Sequence, residues 1–441
     1  MWNALGEAMR RNRAWIIAAQ WAVVAVYVVL LTVPVFRPLP PPDARLIDNF
    51  TLVAQFVFWG VWWPFVILAT LLAGRFWCGV LCPEGALTEF ASRHGLGRPI
   101  PRWIRWGGWP FVAFVATTVY GQLISVYEYP QAALLILGGS TVAAVAVGLV
   151  YGRGKRVWCR YLCPVSGVFG LLSRFSAIHF RVDRGAWTQA PRRKAVDCPT
   201  LVDIARMTGA SQCHLCARCS GHRGAVELAR RGLGQEIVAL PARDIRPWEA
   251  RLLVFGMIGV ATGAFQWSAS PWLVALKQAI AAWLIERNSF ALLADDVPWW
   301  LLTHYPTAHD VFTPLDGLLI VAYVALAGVL LGGWITLWLR AAAPAHSEER
   351  GASARRLAYA LVPFAGAGLF LGLSMLTATI LKAAELTLAW LPYARAVVLG
   401  FGAGWSLLLA WRIASSARAV TAIAAGMAPV LGAWVLLFYY R

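Results

Sequence analysis

Charge is scarce in this sequence. Asp, Glu, Lys and Arg make up 14% of the 441 residues, against 59% hydrophobic residues, and the mean hydropathy is +0.62. This excludes an ordinary soluble domain. Repeated apolar runs of about 20 residues place the chain among multi-span membrane proteins. Negative charge is scarcer still, with 21 Asp and Glu against 39 Lys and Arg. The excess is not laid out for nucleic acid. Residues 152–251 hold 18 Lys and Arg against 7 Asp and Glu, while the loops assigned to the opposite side are nearly balanced. That is the positive-inside pattern of a membrane protein. It also suits an acidic or anionic-lipid partner for the basic segment. Residues 220–441 contain no cysteine, which confines any thiol chemistry to the N-terminal half. No C-x-x-C-H is present, so c-type haem attachment is excluded. No histidine falls in the middle of an apolar run, which argues against a bis-histidine haem in the bilayer. No cleavable leader stands out; the run 15–36 follows "RRNR" and reads as a retained first span.

The apolar runs predict about nine spans, at 15–36, 50–73, 108–127, 131–151, 252–270, 315–339, 357–381, 393–411 and 419–439. With a cytoplasmic N-terminus, the basic flanks at 10–13, 93–105, 151–156, 349–356 and 412–418 all fall on one side. The expected class is an all-α polytopic protein of the bacterial inner (cytoplasmic) membrane. Three parts are expected: a four-helix membrane core over 1–174, a cytoplasmic segment over 175–250, and a C-terminal membrane domain over 251–441 with a periplasmic loop at 271–314. The stretch "PWLVALKQAIAAWLIERN" puts Leu273, Leu276, Ile280, Trp283 and Leu284 on one helical face, which predicts a helix lying at the membrane surface.

What the sequence does have is eight cysteines, all between 78 and 219: Cys78, Cys82, Cys159, Cys163, Cys198, Cys213, Cys216 and Cys219. In a reducing compartment they read as metal ligands rather than disulfides. The phrase "RFWCGVLCP" at 75–83 returns as "RVWCRYLCP" at 156–164, offset by 81 residues. Both copies follow a span in the same orientation, so the repeat is parallel and brings two thiol pairs to the cytoplasmic face. On a helix, C-x3-C places its thiols at i and i+4, on one face. "CHLCARC" gives Cys213, Cys216 and Cys219 in C-x2-C-x2-C spacing, the three-ligand loop of cubane iron–sulfur sites, and Cys198 before Pro199 is the candidate fourth ligand. Zinc is disfavoured, because structural zinc sites usually pair two separated knuckles.

Eight thiols make two sets of four and predict two [4Fe–4S] clusters. The preferred pairing is local: Cys78, Cys82, Cys159 and Cys163 for one, Cys198, Cys213, Cys216 and Cys219 for the other. The alternative exchanges Cys82 or Cys163 with Cys198, as Cys-Pro thiols do in two-cluster ferredoxins. Arg75, Arg156 and Arg160 flank the thiols and would raise a cluster's potential, but by default they read as membrane-side anchors. His214 and His222 read as solvated loop histidines.

These motifs resemble the NapH/NosR/CcoG-type polyferredoxin membrane proteins, and most nearly the NapH-like quinol-dehydrogenase subunits, over about residues 10–235. The resemblance implies four core helices, two cytoplasmic [4Fe–4S] clusters held by the eight cysteines, and electron transfer between the quinone pool and a redox partner. The usual C-x2-C-x2-C-x3-C-P run is not intact here: position 223 is Arg, and the Cys-Pro precedes the triplet. The spans after 250 lie outside the resemblance.

Beyond the thiols, Glu128 in the tight turn "YEYP" and His304 and His309 in the periplasmic loop are candidates for taking protons from a quinol. Tyr305, Trp299 and Trp300 lie near the two histidines. With Asp310 those histidines could instead hold a metal. Lys382 and Glu385 read as an exposed or snorkelling pair at a span end. The expected function is electron transfer between the quinone pool and a redox partner, an acidic cytoplasmic carrier or a membrane oxidoreductase subunit. The alternatives are a metal- or thiol-reducing maturation factor and a redox-sensing regulator.

Overall fold

The computed structural model describes residues 2–41, 44–191, 196–343 and 347–439. Among the described residues, eight helices are long and apolar enough to cross a membrane: Arg13–Phe36, Phe50–Ala73, Pro130–Tyr151, Pro247–Ala269, Pro314–Ala342, Arg350–Ala383, Leu391–Ala414 and Ala417–Tyr439. The ninth expected span, 108–127, is a helix of 15 residues, Trp109–Leu123, running into a turn. The chain divides into two compact units, each discontinuous in sequence.

One unit comprises Met1–Leu30, Phe65–Ala113 and Gly139–Glu249, and holds all eight cysteines. Its helix Pro83–Arg93 packs on Gly139–Tyr151 through small residues. Thr88 donates its hydroxyl to the Ala144 carbonyl at 2.8 Å, and a β-carbon on Gly148 would come within 2.7 Å of the Thr88 carbonyl oxygen. Beyond these helices the chain is not purely helical. Ile178–Val182 pairs antiparallel with Val226–Arg230, Phe180 facing Leu228. The pair backs a small core of Phe180, Ile204, Leu215, Ala217, Val226 and Leu228, against which Cys198, Cys213 and Cys219 pack. Helix Trp2–Arg11 lies on this core at Gly6, where a β-carbon would meet the Ser220 hydroxyl at 2.8 Å. The buried carboxylate of Glu236 ties the segment together. It accepts from Arg174 at 2.9 Å, from Arg231 at 2.5 Å and from the Ala210 amide at 2.8 Å.

The other unit comprises Leu31–Pro64, Phe114–Gly138 and Ala250–Arg441. Its long helices meet at glycines. A β-carbon on Gly259 would lie 2.8 Å from the Gly328 carbonyl oxygen, and one on Gly402 would lie 2.7 Å from the Ala367 side chain. Small residues let apolar helices approach where no water is expelled to drive them together. Thr313 and Asp316 form a reciprocal cap that starts the helix Pro314–Ala342. The stretch expected to lie at the membrane surface forms a helix, Pro271–Glu286, with only Leu284 buried and Trp272, Leu276 and Trp283 exposed. A second antiparallel pair joins His304–Tyr305 to Asp310–Val311.

Candidate iron–sulfur centre

The two C-x3-C-P copies fold alike, but neither is a continuous α-helix. Cys78 sits in a π-turn, Trp77–Leu81, and Cys82 is extended at φ −62°, ψ 120°. The second copy is a short helix, Val157–Tyr161, that stops before Cys163. The expected i, i+4 placement on one helix therefore does not hold. Proline disfavours the α conformation of the residue before it, so each Cys-Pro thiol leaves the helix. In both copies the amide of that cysteine donates back five residues to a tryptophan carbonyl: Cys82 to Trp77 at 2.8 Å, Cys163 to Trp158 at 3.0 Å. Cys82 then caps the next helix, its sulfur accepting from the Gly85 amide at 3.4 Å. A helix N-terminus favours a thiolate.

All eight thiols are free. Burial pushes the Cys82 thiol well up, and the charges of Cys78 and Cys159 push it further. Burial likewise raises Cys163, followed by Glu84, Cys159, Cys82 and Cys78. In the other set, burial, then Cys216 and Cys198, push Cys213 up to about 12. Burial, then Cys213, Cys216 and Cys198, raises Cys219. The thiols that act on one another fall into the two local sets. Thiols raised in this way stay protonated until a cation takes them as thiolates, so loading releases protons.

The donor sets suit iron–sulfur clusters. Cys198, Cys213, Cys216 and Cys219 all line one pocket, together with apolar neighbours including Phe180, Ile204 and Met207. Among the described residues, no three His, Cys, Asp or Glu side chains are gathered as a single metal ion would hold them. A four-iron cube spreads its thiolates around a larger body. The same observation leaves His304, His309 and Asp310 ungathered as a metal site.

The three arginines have protein partners, and two of them are buried. Arg75 is 4% exposed; its Nη2 lies 4.0 Å from the Cys78 sulfur and 3.0 Å from the Ser166 hydroxyl, and its Nη1 donates to the Ser211 carbonyl at 2.6 Å. Arg156 is 1% exposed; its side chain donates to the Cys78 carbonyl at 2.6 Å, and its backbone amide to Pro199 at 2.6 Å. Arg160 donates to the Gln212 side chain at 2.8 Å. Each ties a C-x3-C-P phrase to the loops of the other thiol set. Counting charge by side of the membrane carries no information on burial, so the sequence could not distinguish these roles. His214 is likewise not solvated. It is buried, with Nδ1 unpartnered, and burial followed by Arg75, Arg156 and Arg160 holds it neutral. His222 packs beside the Trp187 ring at 5.3 Å.

The quinol candidates lie in the other unit, where the loop that carries His304 and His309 meets the turn that carries Glu128. The Tyr129 hydroxyl donates to Asp310 at 2.8 Å, and its ring stacks on Tyr305 at 3.5 Å. The Thr303 amide donates to the Leu123 carbonyl at 2.8 Å, so the loop's strand pair is fixed to the "YEYP" turn. Burial raises the Glu128 carboxyl, and the charge of Asp310 adds to it. His304 Nδ1 and the Tyr305 hydroxyl are buried without hydrogen-bond partners. His309 occupies the left-handed turn position at φ 53°. Tyr129 and Asp310 thus join Glu128 and His304; their separation of about 180 residues hid this from the sequence.

Comparison with known proteins agrees with this geometry. A family described as a 4Fe-4S binding domain matches residues 55–107 and 134–183, one match around each copy of the repeat. The chain is 25% identical over 235 residues to YccM of Escherichia coli (strain K12), whose description names electron transport. It is 24% identical over 214 residues to the ferredoxin-type protein NapH of Haemophilus influenzae. It is 29% identical over 119 residues to the methylamine utilization ferredoxin-type protein MauN of Paracoccus denitrificans. These stretches cover 46%, 43% and 24% of this chain, and 65%, 72% and 42% of the respective relatives. The chain thus spans less than two thirds of YccM and of MauN. No solved structure matches the chain. The class these observations define is a multi-pass membrane protein with a 4Fe-4S binding domain. Its N-terminal half is similar to ferredoxin-type proteins including NapH, the likeness expected from the spacing of its thiols.

Proposed function

We propose that the protein passes electrons between the quinone pool and a redox partner through two [4Fe–4S] clusters at the cytoplasmic face of the inner membrane. The observation that carries this reading is that Cys198, Cys213, Cys216 and Cys219 line one pocket, while Cys82 and Cys163 each feel Cys78 and Cys159. Each cluster, when bound, takes up and passes on one electron at a time. Cys78, Cys82, Cys159 and Cys163 would hold one; Cys198, Cys213, Cys216 and Cys219 would hold the other. Cys78 and Cys159 are buried and the other six thiols half-buried, and Arg75 and Arg156 would face the anionic thiolates. The charge pattern supports a cytoplasmic N-terminus and a basic segment, 152–251, that steers an acidic carrier.

Quinol oxidation also releases protons, and Glu128 is the base best prepared for them. Its raised pKa brings it nearer to neutral pH, where a general base works best. Asp310, Tyr129, Tyr305 and His304 surround that turn, with His309 at its edge. In this reading, 1–174 is the membrane core, 175–250 the cluster segment and 251–441 a membrane domain carrying the loop 271–314. The test is anaerobic purification, iron and sulfide counts, then EPR after adding quinol. Iron and sulfide for two clusters and a quinol-reduced signal support the reading. Clusters that stay oxidised with every quinol would remove quinol as the donor.

A further inference from the structure

The loops bearing the two thiol sets meet backbone to backbone at one glycine. Gly79 follows Cys78 in the turn Trp77–Leu81. A β-carbon there would lie 1.9 Å from the His214 carbonyl oxygen and 2.9 Å from the Cys216 amide nitrogen. No side chain fits such an approach, so this position requires glycine for its size rather than for its φ angle. The contact is held from outside. Gln20, itself buried, donates Nε2 to the Gly79 carbonyl at 3.0 Å, and Arg75 and Arg160 grip Ser211 and Gln212 on the facing loop.

We infer that the Gly79–His214 seam is the positioning contact that sets electron transfer between the two clusters. The inference rests on the two-cluster function proposed above. Gly79 is bonded to Cys78, and His214 lies between Cys213 and Cys216. A route from one thiol set to the other through this seam crosses a single non-bonded gap between main-chain atoms. The Arg75 and Arg160 ties between the sets run instead through long side chains, and the main-chain hydrogen bond from Arg156 to Pro199 enters three residues from Cys159 rather than next to a cysteine of that phrase. The step moves one electron from a reduced cluster to an oxidised one, with no bond made or broken. Gly79 acts by position only, and the His214 imidazole is not part of the route.

EPR of the full-length protein, purified anaerobically and reduced with dithionite, tests this. Two reduced clusters held close broaden or split each other's signals, and the effect falls steeply with separation. The wild type should show this interaction. Gly79→Ala should weaken it while retaining wild-type iron, and His214→Ala, which keeps the main-chain contact, should leave it unchanged. Full iron with unaltered interaction in Gly79→Ala overturns the inference, as does loss of the interaction in His214→Ala alone. If Gly79→Ala loses iron, Gln20→Leu takes its place, because it frees the Gly79 carbonyl without inserting atoms into the seam. Weakened interaction there supports the inference, and unaltered interaction overturns it. Two signals that never interact in the wild type would sink the seam alone. A single signal in the wild type would sink the two-cluster reading beneath it.

Discussion

Glu89 is a buried counter-charge at the centre of four arginines in the cysteine-bearing unit. It sits on helix Pro83–Arg93 at 5% exposure. One carboxylate oxygen accepts from Arg156 at 2.8 Å; the other faces Arg13 and Arg93 at 3.6 Å each and accepts from Arg218. Burial alone would raise its pKa, but the Arg156 and Arg218 charges and hydrogen bonds outweigh burial, so it titrates below the usual carboxylate range. The resulting stability is fully present above the unfolded carboxylate value, about 4.3. It is lost as pH falls through the lowered folded value. Glu89→Gln keeps the volume and removes the charge, leaving Arg156, 1% exposed, without its nearest anion. Breaking a buried pair in this way costs about 3–5 kcal/mol. For a unit of this size that corresponds to an apparent melting temperature lower by about 6–20 °C. Tryptophan fluorescence melts in detergent under anaerobic conditions measure it, with retained iron as a second readout. A melting temperature within about 2 °C of wild type would refute the assignment of Glu89 as the counter-ion of Arg156.

Arg75→Gln removes a buried positive charge 4.0 Å from the Cys78 sulfur; redox titration followed by EPR should show the cluster at Cys78 moving to a more negative potential by more than the other. Glu128→Gln should slow quinol-driven cluster reduction by about 10²–10⁴-fold while dithionite reduction is unchanged; equal slowing with both reductants would point to damage elsewhere. Gly259→Val forces a side chain against the Gly328 backbone, where a β-carbon alone would come within 2.8 Å. Overpacking of this kind should cost about 1–3 kcal/mol, read as lower thermal stability with iron content preserved.

The thiol chemistry was legible because it is local. C-x2-C-x2-C and the two C-x3-C-P phrases lie within a few residues each, and their repetition at a fixed offset is visible without any structure. The long spans were legible for the same reason, since each is one apolar run. Three things were not. The proline after each second cysteine is plain in the sequence, yet its consequence, a Cys-Pro thiol turned off the helix with its amide bonded to a tryptophan five residues back, needed coordinates. Arg75, Arg156 and Arg160 looked like side-of-membrane charge, because composition records that a residue is basic but not that it is buried against a carbonyl. Glu128 and His304 stood as separate candidates, and only the fold sets "YEYP" against the strand pair that carries Asp310.

The central claim is that two sets of four thiols hold two separate clusters, and single cysteine variants test it most directly. Iron and sulfide counts with EPR on Cys82→Ala, Cys159→Ala and Cys198→Ala should each show half the wild-type iron. Cys82→Ala and Cys159→Ala should lose the same signal, and Cys198→Ala the other. Loss of different signals in Cys82→Ala and Cys159→Ala would contradict the local sets and place a Cys-Pro thiol on the neighbouring cluster.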